Sequence, residues 1–502
     1  MPRLAAAYET TERLWWGMSA RGIVALILVL TILRFAVAHF AGLLWDEPYY
    51  WLWSRDLAAG YFDHPPMVAY WIWAGTALLG DGPLGIRFLF VLNTVATTAA
   101  AYALGRVLFG ERIGWLAALW TNVAPLLGIA GFMATPDGPS VLFWTLTMLA
   151  FAMVVTTERG PWWIAVGVFA GLGAVSKYTN LFLGAGLVLA LLLDPRLRRW
   201  LWSPWLWLGG AVAAAIFLPV ILWNASHDWL SFRFQFGRVG EWSFTPVVLV
   251  TLIVVQPLIF NPLASVFVVR AAREWARGWD PTARPIGLLL ATSLPAAVFI
   301  LFQATHGEVL QHWLAPLFPT LTVAAVAAAG TIDPERQRAL RRMRTDVVPL
   351  GLIAMAVVWV FAVTPLDRYF PGKDPLDSIR GWPGYAREVE AVRVSSGATW
   401  IASVGYELTS ELGYELRGTA TVVPVNERPR YTFLPPPDPQ LLGEPALLVV
   451  SSRFVDAVRG CFATLTEVGE VTRFGGRKIT STPVFLAEGM RPEAFASGCE
   501  AP

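Results

Sequence analysis

Charge is scarce in this chain: 15% of its 502 residues are Asp, Glu, Lys or Arg, against about a quarter in ordinary soluble proteins. The scarcity is uneven. Residues 1–365 run as apolar stretches joined by short polar loops, and 366–502 read as a small soluble α/β domain. A wholly soluble protein is excluded, and a polytopic membrane domain with one appended domain is expected. The formal net charge is only +2, so no nucleic-acid partner is expected. Lysine is rarer still, because Lys177 is the first in the chain and the next is Lys373. Histidines and acids occur without ligand spacing, so neither a metal nor a cofactor is expected. No internal repeat or low-complexity tract stands out.

The first apolar run, Gly22 to Leu44, is too long for a signal-peptide core and lacks a small-residue cleavage pattern, so it reads as an uncleaved span. It carries Arg34, set roughly 18 Å along a helix from Asp46 and therefore out of its reach. Ahead of it, 1–21 is weakly amphipathic and suits a membrane surface. Further spans are expected near 86–109, 115–132, 139–157, 203–223, 246–268, 285–303, 309–330 and 348–365. Residues 162–193 would make one helix of about 48 Å, well beyond a hydrocarbon core of about 30 Å. Two short helices turning at Ser176-Lys177-Tyr178-Thr179 place Arg3, Arg13, Arg21, Arg106, Arg112, Arg159, Arg196, Arg198 and Arg199 on one side. Arg270 to Arg284 and Arg336 to Arg344 join them there. The positive-inside rule then predicts about eleven spans, a cytoplasmic N-terminus and an external domain at 366–502. In that domain Trp400–Val404, Thr421–Val425 and Leu447–Val450 read as strands, and Tyr385–Val392 and Leu408–Leu416 as helices.

This topology gathers the acids and histidines of the membrane part on the external side. Trp45-Asp46-Glu47-Pro48 closes the first span, either as a helix stop with two solvated acids or as a general base. A carboxylate at the rim of an apolar cavity has its pKa raised towards neutrality by desolvation. Trp45, Tyr49, Tyr50, Trp51 and Trp53 form an interfacial belt, a stacking surface for a sugar or the wall of a lipid groove. Asp63-His64-Pro65-Pro66 reads as a rigid turn leading into another interfacial helix, structural by itself and a phosphate or substrate contact if a short hairpin of interfacial helices in this first external loop brings it opposite Asp46-Glu47. Asp137, between Pro136 and Gly138, is an N-cap or a functional acid. Lys177, at a tight turn between two buried half-helices, is a candidate phosphate ligand. His227-Asp228, with Arg233 and Arg238, and Gln311-His312-Trp313 are weaker signals. Cys461 and Cys499, the two cysteines, lie in the domain placed outside, where a bridge is expected to close a loop of about 38 residues.

The run Trp45 to Arg55, with Gly60-Tyr61-Phe62-Asp63-His64-Pro65-Pro66, resembles the first external loop of bacterial integral-membrane glycosyltransferases of the GT-C fold. The branch is the one related to the lipid A aminoarabinose transferase and the protein O-mannosyltransferases. Ala134 to Pro139 looks like that branch's second-loop acid motif, Ser176-Lys177-Tyr178 like its lysine turn, and Trp223 to Trp229 like a later segment. The resemblance covers roughly 25–330. Asp63-His64 stands where the aminoarabinose transferase has an acid–lysine pair, so the sugar is left open.

The resemblance implies a GT-C membrane catalytic domain at 1–365 and a periplasmic α/β domain at 366–502, in the bacterial inner membrane. It implies inverting transfer from a polyprenyl-phosphate-linked sugar to a hydroxyl of an envelope glycolipid or protein on the periplasmic face, next to the lipid bilayer. Asp46 would be the base, with Glu47 orienting it and Asp137 as the alternative acid. Lys177, His64 and Arg87 would meet the phosphate, and Asp63, Tyr50, His227 and Asp228 complete the candidate binding set. A protein O-mannosyltransferase, a lipid or sugar transporter and an envelope scaffold are the competing readings; ionisable groups gathered on one face, without repeated halves, weigh against transport.

Overall fold

The computed structural model describes residues 14–237, 244, 246–278, 284–364 and 376–499. Residues 1–13, Arg238 and the expected domain boundary at 365/366 lie outside the described residues. The chain divides into two compact units. The first comprises Met1–Ala38, His64–Val68 and Arg87–Trp359, and the second His39–Asp63, Ala69–Ile86 and Val360–Pro502.

The first unit is helical. Among the described residues, seven helices of the chain are long and apolar enough to cross a membrane: Ala20–Phe40, Pro83–Phe109, Asp137–Thr157, Pro204–Ser226, Arg284–Gln303, Gln311–Gly330 and Arg338–Val363. The bent pair Pro246–Phe260 and Pro262–Ala276 makes an eighth if counted as one span. The expectation of about eleven spans is higher because it also counted 115–132 and both halves of 162–193.

Each difference has a local cause. The stretch 115–132 is interrupted after helix Glu111–Asn122, where Ala124 is extended and Pro125 opens a new short helix. Arg34, buried in the first span, meets the break: its guanidinium donates to Asn122 Oδ1 at 2.9 Å, to the Asn122 carbonyl at 3.2 Å and to the Gly128 carbonyl at 3.3 Å. An intramembrane cation is thus held on carbonyls that a broken helix leaves without backbone partners. The stretch 246–268 bends by 107° at Asn261. There the Asn261 side chain accepts from the backbone of Leu263 at 3.1 Å and Ala264 at 3.3 Å, while its amide donates to the Val347 carbonyl at 2.9 Å. Asparagine at an N-cap followed by proline at the first helical position starts a fresh helix rather than continuing the old one.

The two-half reading of 162–193 matches the structure: helices Trp162–Ser176 and Leu181–Leu193 flank a 3-10 turn, Tyr178–Asn180. Helix Trp162–Ser176 lies so close to Pro204–Ser226 that a Cβ on Gly167 would collide with the Gly209 carbonyl. Small residues let membrane helices approach in this way where no hydrophobic force drives them together.

The second unit carries a five-stranded sheet: β1 (Trp400–Ser403), β2 (Val422–Pro424), β3 (Ala446–Val449), β4 (Phe462–Phe474) and β5 (Lys478–Met490), in the order β2-β1-β3-β5-β4. β1 is parallel to β2 and β3, while β5 runs antiparallel to both β3 and β4. The three short strands fall within a residue of where the sequence put them, helix Trp382–Ser395 contains the first expected helical run, and helix Tyr406–Glu415 covers the second except Leu416, its C-cap. The long β4–β5 hairpin was not anticipated. Its alternation is broken by a register shift between Glu467 and Gly469 and by Pro483, which sits just beyond the β3 ladder and so removes none of its pairing. Cys461 and Cys499 are joined by a disulfide, Cα to Cα 6.1 Å, across a separation of 38 residues. The chain-entropy model gives such a closure roughly 3–4 kcal/mol.

Candidate active site

In the second unit the first-loop motif forms the helix Asp46–Arg55. Glu47 starts it. Its Oε2 accepts from the Leu44 backbone N–H at 2.8 Å while its own N–H donates to the Leu44 carbonyl at 2.7 Å, closing the turn that leads into the helix. Glu47 is fully buried. The far end is tied by Asp81, which accepts from Trp51 Nε1 at 2.9 Å and from Arg55 at 3.0 Å. Tyr61 stacks flat on Trp53 at 4.2 Å and donates to the Trp53 and Asp56 carbonyls at 3.0 Å, fixing the turn that leads to Asp63. Tyr50 is buried edge-on against Trp53 at 4.9 Å, so its ring is part of this packing.

The helix packs against Tyr406–Glu415, where Gly413 leaves room for Leu52. Tyr406 donates its hydroxyl to Asp46 Oδ1 at 3.5 Å. Its backbone N–H is held by Glu427 at 3.0 Å, and Asn426 holds Gly405 N–H at 2.8 Å. Asp63 is buried in an ion pair with Arg430, and its second oxygen accepts from Tyr49 at 2.8 Å. Asp63 thus ties its loop to Arg430 and Tyr49. Burial, then the charges of Asp63, Glu407 and Glu47, push the half-buried Asp46 carboxyl up to about 7, against the bond from Tyr406. Burial, then Glu415, raises the Glu411 carboxyl well above the usual range. A carboxylate that exchanges its proton near neutral pH suits a general base.

The first unit holds a second cluster. Lys177 Nζ donates to Asp137 Oδ1 at 2.7 Å, and His312 Nε2 lies 3.6 Å from Oδ2. His64 is near enough for its charge to bear on Asp137. Two elements place the pair. Asp137 begins helix Asp137–Thr157 without a side-chain cap bond, so it is not an N-cap there. Lys177 is extended between the two half-helices, and the turn is fastened by Ser140 Oγ donating to Asn180 Oδ1 at 2.6 Å and Asn180 Nδ2 donating to the Ser140 carbonyl at 3.1 Å. The Lys177 side chain is only 5% exposed. An ammonium has three donors, so the bond to Asp137 leaves capacity for a phosphate.

The remaining candidates have contacts of their own. Arg87 is buried, donates to the Ala38 carbonyl at 3.1 Å and lies 5.2 Å over Phe132. His227 closes helix Pro204–Ser226, stacked on Trp223 at 4.2 Å with Nδ1 2.8 Å from the Trp223 carbonyl. Asp228 is exposed with φ of 53°. Tyr406 and Arg430 were not singled out from the sequence. The run Glu427-Arg428-Pro429-Arg430-Tyr431 mixes charge and aromatic residues as the first loop does, and was the available signal. Among the described residues no group of three or more His, Cys, Asp or Glu could hold a metal.

A family model described as dolichyl-phosphate-mannose-protein mannosyltransferase matches residues 63–223. The lipid A galacturonosyltransferase of Rhizobium johnstonii is 25% identical over 408 residues, spanning 80% of this chain and 84% of that protein. The undecaprenyl phosphate-alpha-4-amino-4-deoxy-L-arabinose arabinosyl transferase of Edwardsiella ictaluri is 27% identical over 369 residues, spanning 66% of this chain and 64% of the relative. In fold, ArnT from Cupriavidus metallidurans bound to undecaprenyl phosphate superposes with a TM-score of 0.66 at 18% identity, over 94% of this chain and all of that one. The apo form of the same protein gives 0.67.

Proposed function

Since the chain is a multi-pass membrane glycosyltransferase of the GT-C fold, related to the lipid A aminoarabinose and galacturonosyl transferases and to the protein mannosyltransferases, we propose that it is an inverting enzyme of the bacterial inner membrane. It moves a sugar from a polyprenyl phosphate to a hydroxyl of lipid A or another envelope glycolipid on the periplasmic face. The observation that carries the mechanism is Asp46, a half-buried carboxyl bonded by the Tyr406 hydroxyl at 3.5 Å and pushed up to about 7 by burial and the charges of Asp63, Glu407 and Glu47. Asp46 removes the acceptor's hydroxyl proton as that oxygen attacks the anomeric carbon. The bond from that carbon to the phosphate oxygen breaks, and the phosphate leaves with the electron pair. Lys177 supplies a cation for the charge that grows on the phosphate, while Asp137 fixes its ammonium. Glu47 starts the helix that carries the base. Residues 366–502 are the periplasmic part.

Mass spectrometry of lipid A, lipopolysaccharide and glycoproteins from a deletion strain tests the reaction. Loss of one sugar from a glycolipid is expected. Loss from a glycoprotein instead would support protein O-mannosylation, which the match over 63–223 favours as the second reading. Unchanged glycans would overturn both and, with altered uptake, turn the reading to transport. The arginine asymmetry sets the orientation. An alkaline phosphatase reporter fused after Thr364 is expected to be active, and an inactive fusion, with a cytoplasmic reporter active at the same point, would reverse the topology.

A further inference from the structure

We propose that Arg430 is the positioning residue of the base, one guanidinium holding Asp63 and Tyr406 in place around the Asp46 carboxylate. The proposal rests on Asp46 being the base. Arg430 side-chain nitrogens reach Asp63 and, at 3.2 Å, Glu427 Oε1. Its guanidinium carbon lies 4.8 Å from the Tyr406 ring centre and 4.9 Å from that of Phe62. Glu427 spends its other oxygen on the Tyr406 backbone N–H at 3.0 Å, so the cation, Glu427 and the start of helix Tyr406–Glu415 form one assembly. The carbonyl of Arg430 accepts from the Tyr49 hydroxyl at 3.2 Å, the same hydroxyl that donates to Asp63. The Tyr431 hydroxyl donates to the Tyr406 carbonyl at 3.3 Å. With its side chain 14% exposed, Arg430 is a buried charge answered by two carboxylates and two ring faces.

This assembly governs what Asp46 feels. Three carboxylates bear on Asp46, those of Asp63, Glu407 and Glu47, and the Tyr406 hydroxyl bonds it. Arg430 is bound directly to the first and lies against the ring of the last. The other charged groups in the neighbourhood are Glu411, Glu415 and Glu427, with Arg453 and Arg473 near Glu407. Loss of the Arg430 cation leaves the charge of Asp63 uncompensated and frees the Tyr406 ring, so Asp46 holds its proton more tightly. Loss of the Asp63 charge does the opposite. Coulomb interactions at several ångströms in a partly buried site correspond to about one pKa unit.

The test follows the titration of Asp46 without needing the donor sugar. In the full-length chain in detergent, the difference in Tm between each background and its Asp46→Asn derivative is measured from pH 4 to pH 9. The pH above which that difference no longer changes is the folded-state pKa of Asp46. In the native background this upper limit is expected near pH 7, in Arg430→Gln about one unit higher, in Arg430→Lys close to native and in Asp63→Asn about one unit lower. In the deletion strain, Arg430→Gln is expected to restore the missing sugar less well at medium pH 6 than at pH 8. An upper limit that stays put in both Arg430→Gln and Asp63→Asn overturns the proposal, since a purely structural arginine would lower Tm without moving it. If Arg430→Gln does not fold, an unmoved upper limit in Asp63→Asn overturns it alone. Normal transfer by Asp46→Asn is a separate failure, that of the base reading.

Discussion

Replacing Asp46 with asparagine is expected to lower sugar transfer by at least about 100-fold, the lower range for losing a general base, in a chain that still folds. Turnover of the native chain is expected to climb with pH up to about 7, where Asp46 becomes ionised, and to be flat above that until another group titrates. Stability moves the opposite way. The folded-state pKa is raised above its unfolded value of 3.8, so the folded chain binds this proton more tightly than the unfolded one. Stability from this group is therefore present at acid pH, falls as pH rises from about 4 to about 7, and stays lower above that. The asparagine substitution removes the dependence. It should raise Tm relative to the native chain above pH 7 and leave the two alike near pH 4. Scanning calorimetry across that range, beside turnover of the purified protein, checks both. Near-normal turnover would take Asp46 out of the role and make Asp137 the next candidate.

Lys177→Ala is expected to weaken use of the lipid-phosphate donor by about 10- to 100-fold, the range for a charge-assisted hydrogen bond worth about 1.5–3 kcal/mol. Lys177→Arg retains part of it. The structure adds a complication. The lysine is ion-paired with Asp137 in a site with little exposure, and removing one partner of such a pair costs about 3–5 kcal/mol. Lower activity of Lys177→Ala thus has two sources. Lys177→Met combined with Asp137→Asn separates them, because it removes the charge without leaving its partner unpaired. That double variant is expected to recover stability but not binding, measured with undecaprenyl phosphate as the titrant. Recovery of both would make the pair structural and move the phosphate site to another cation.

What was legible in the sequence was local. The helix after Trp45, the turn at Lys177 and the three short strands follow from patterns within about ten residues, where hydrophobic period and turn chemistry act. The bend at Asn261-Pro262 was signalled by its dipeptide, and apolar composition masked it. The break before Pro125 was hidden in the same way, and hydropathy could not reveal that Arg34 would serve it. The partners of the acids were least legible. Asp63 and Arg430 are 367 residues apart in the chain and Tyr406 and Asp46 are 360 apart. Nothing in either segment alone names the other. The pairing of Asp63 was hidden because its counter-charge arrives from the far end of the sequence.

The bridge between Cys461 and Cys499 has a mechanical meaning of its own. Cys461 stands immediately before β4, and Cys499 follows the last helix, Pro492–Ser497. Both strands of the long hairpin, with the Gly475-Gly476 tip between them, are therefore part of a closed covalent ring. A single nick at that tip would open the ring without parting the molecule. β4 lies at the sheet's edge and β5 pairs it to β3, so the strand most easily peeled away is also the one held by both a ladder and a tether. Wherever proteases act on surface turns, such a chain keeps its parts after the first cut.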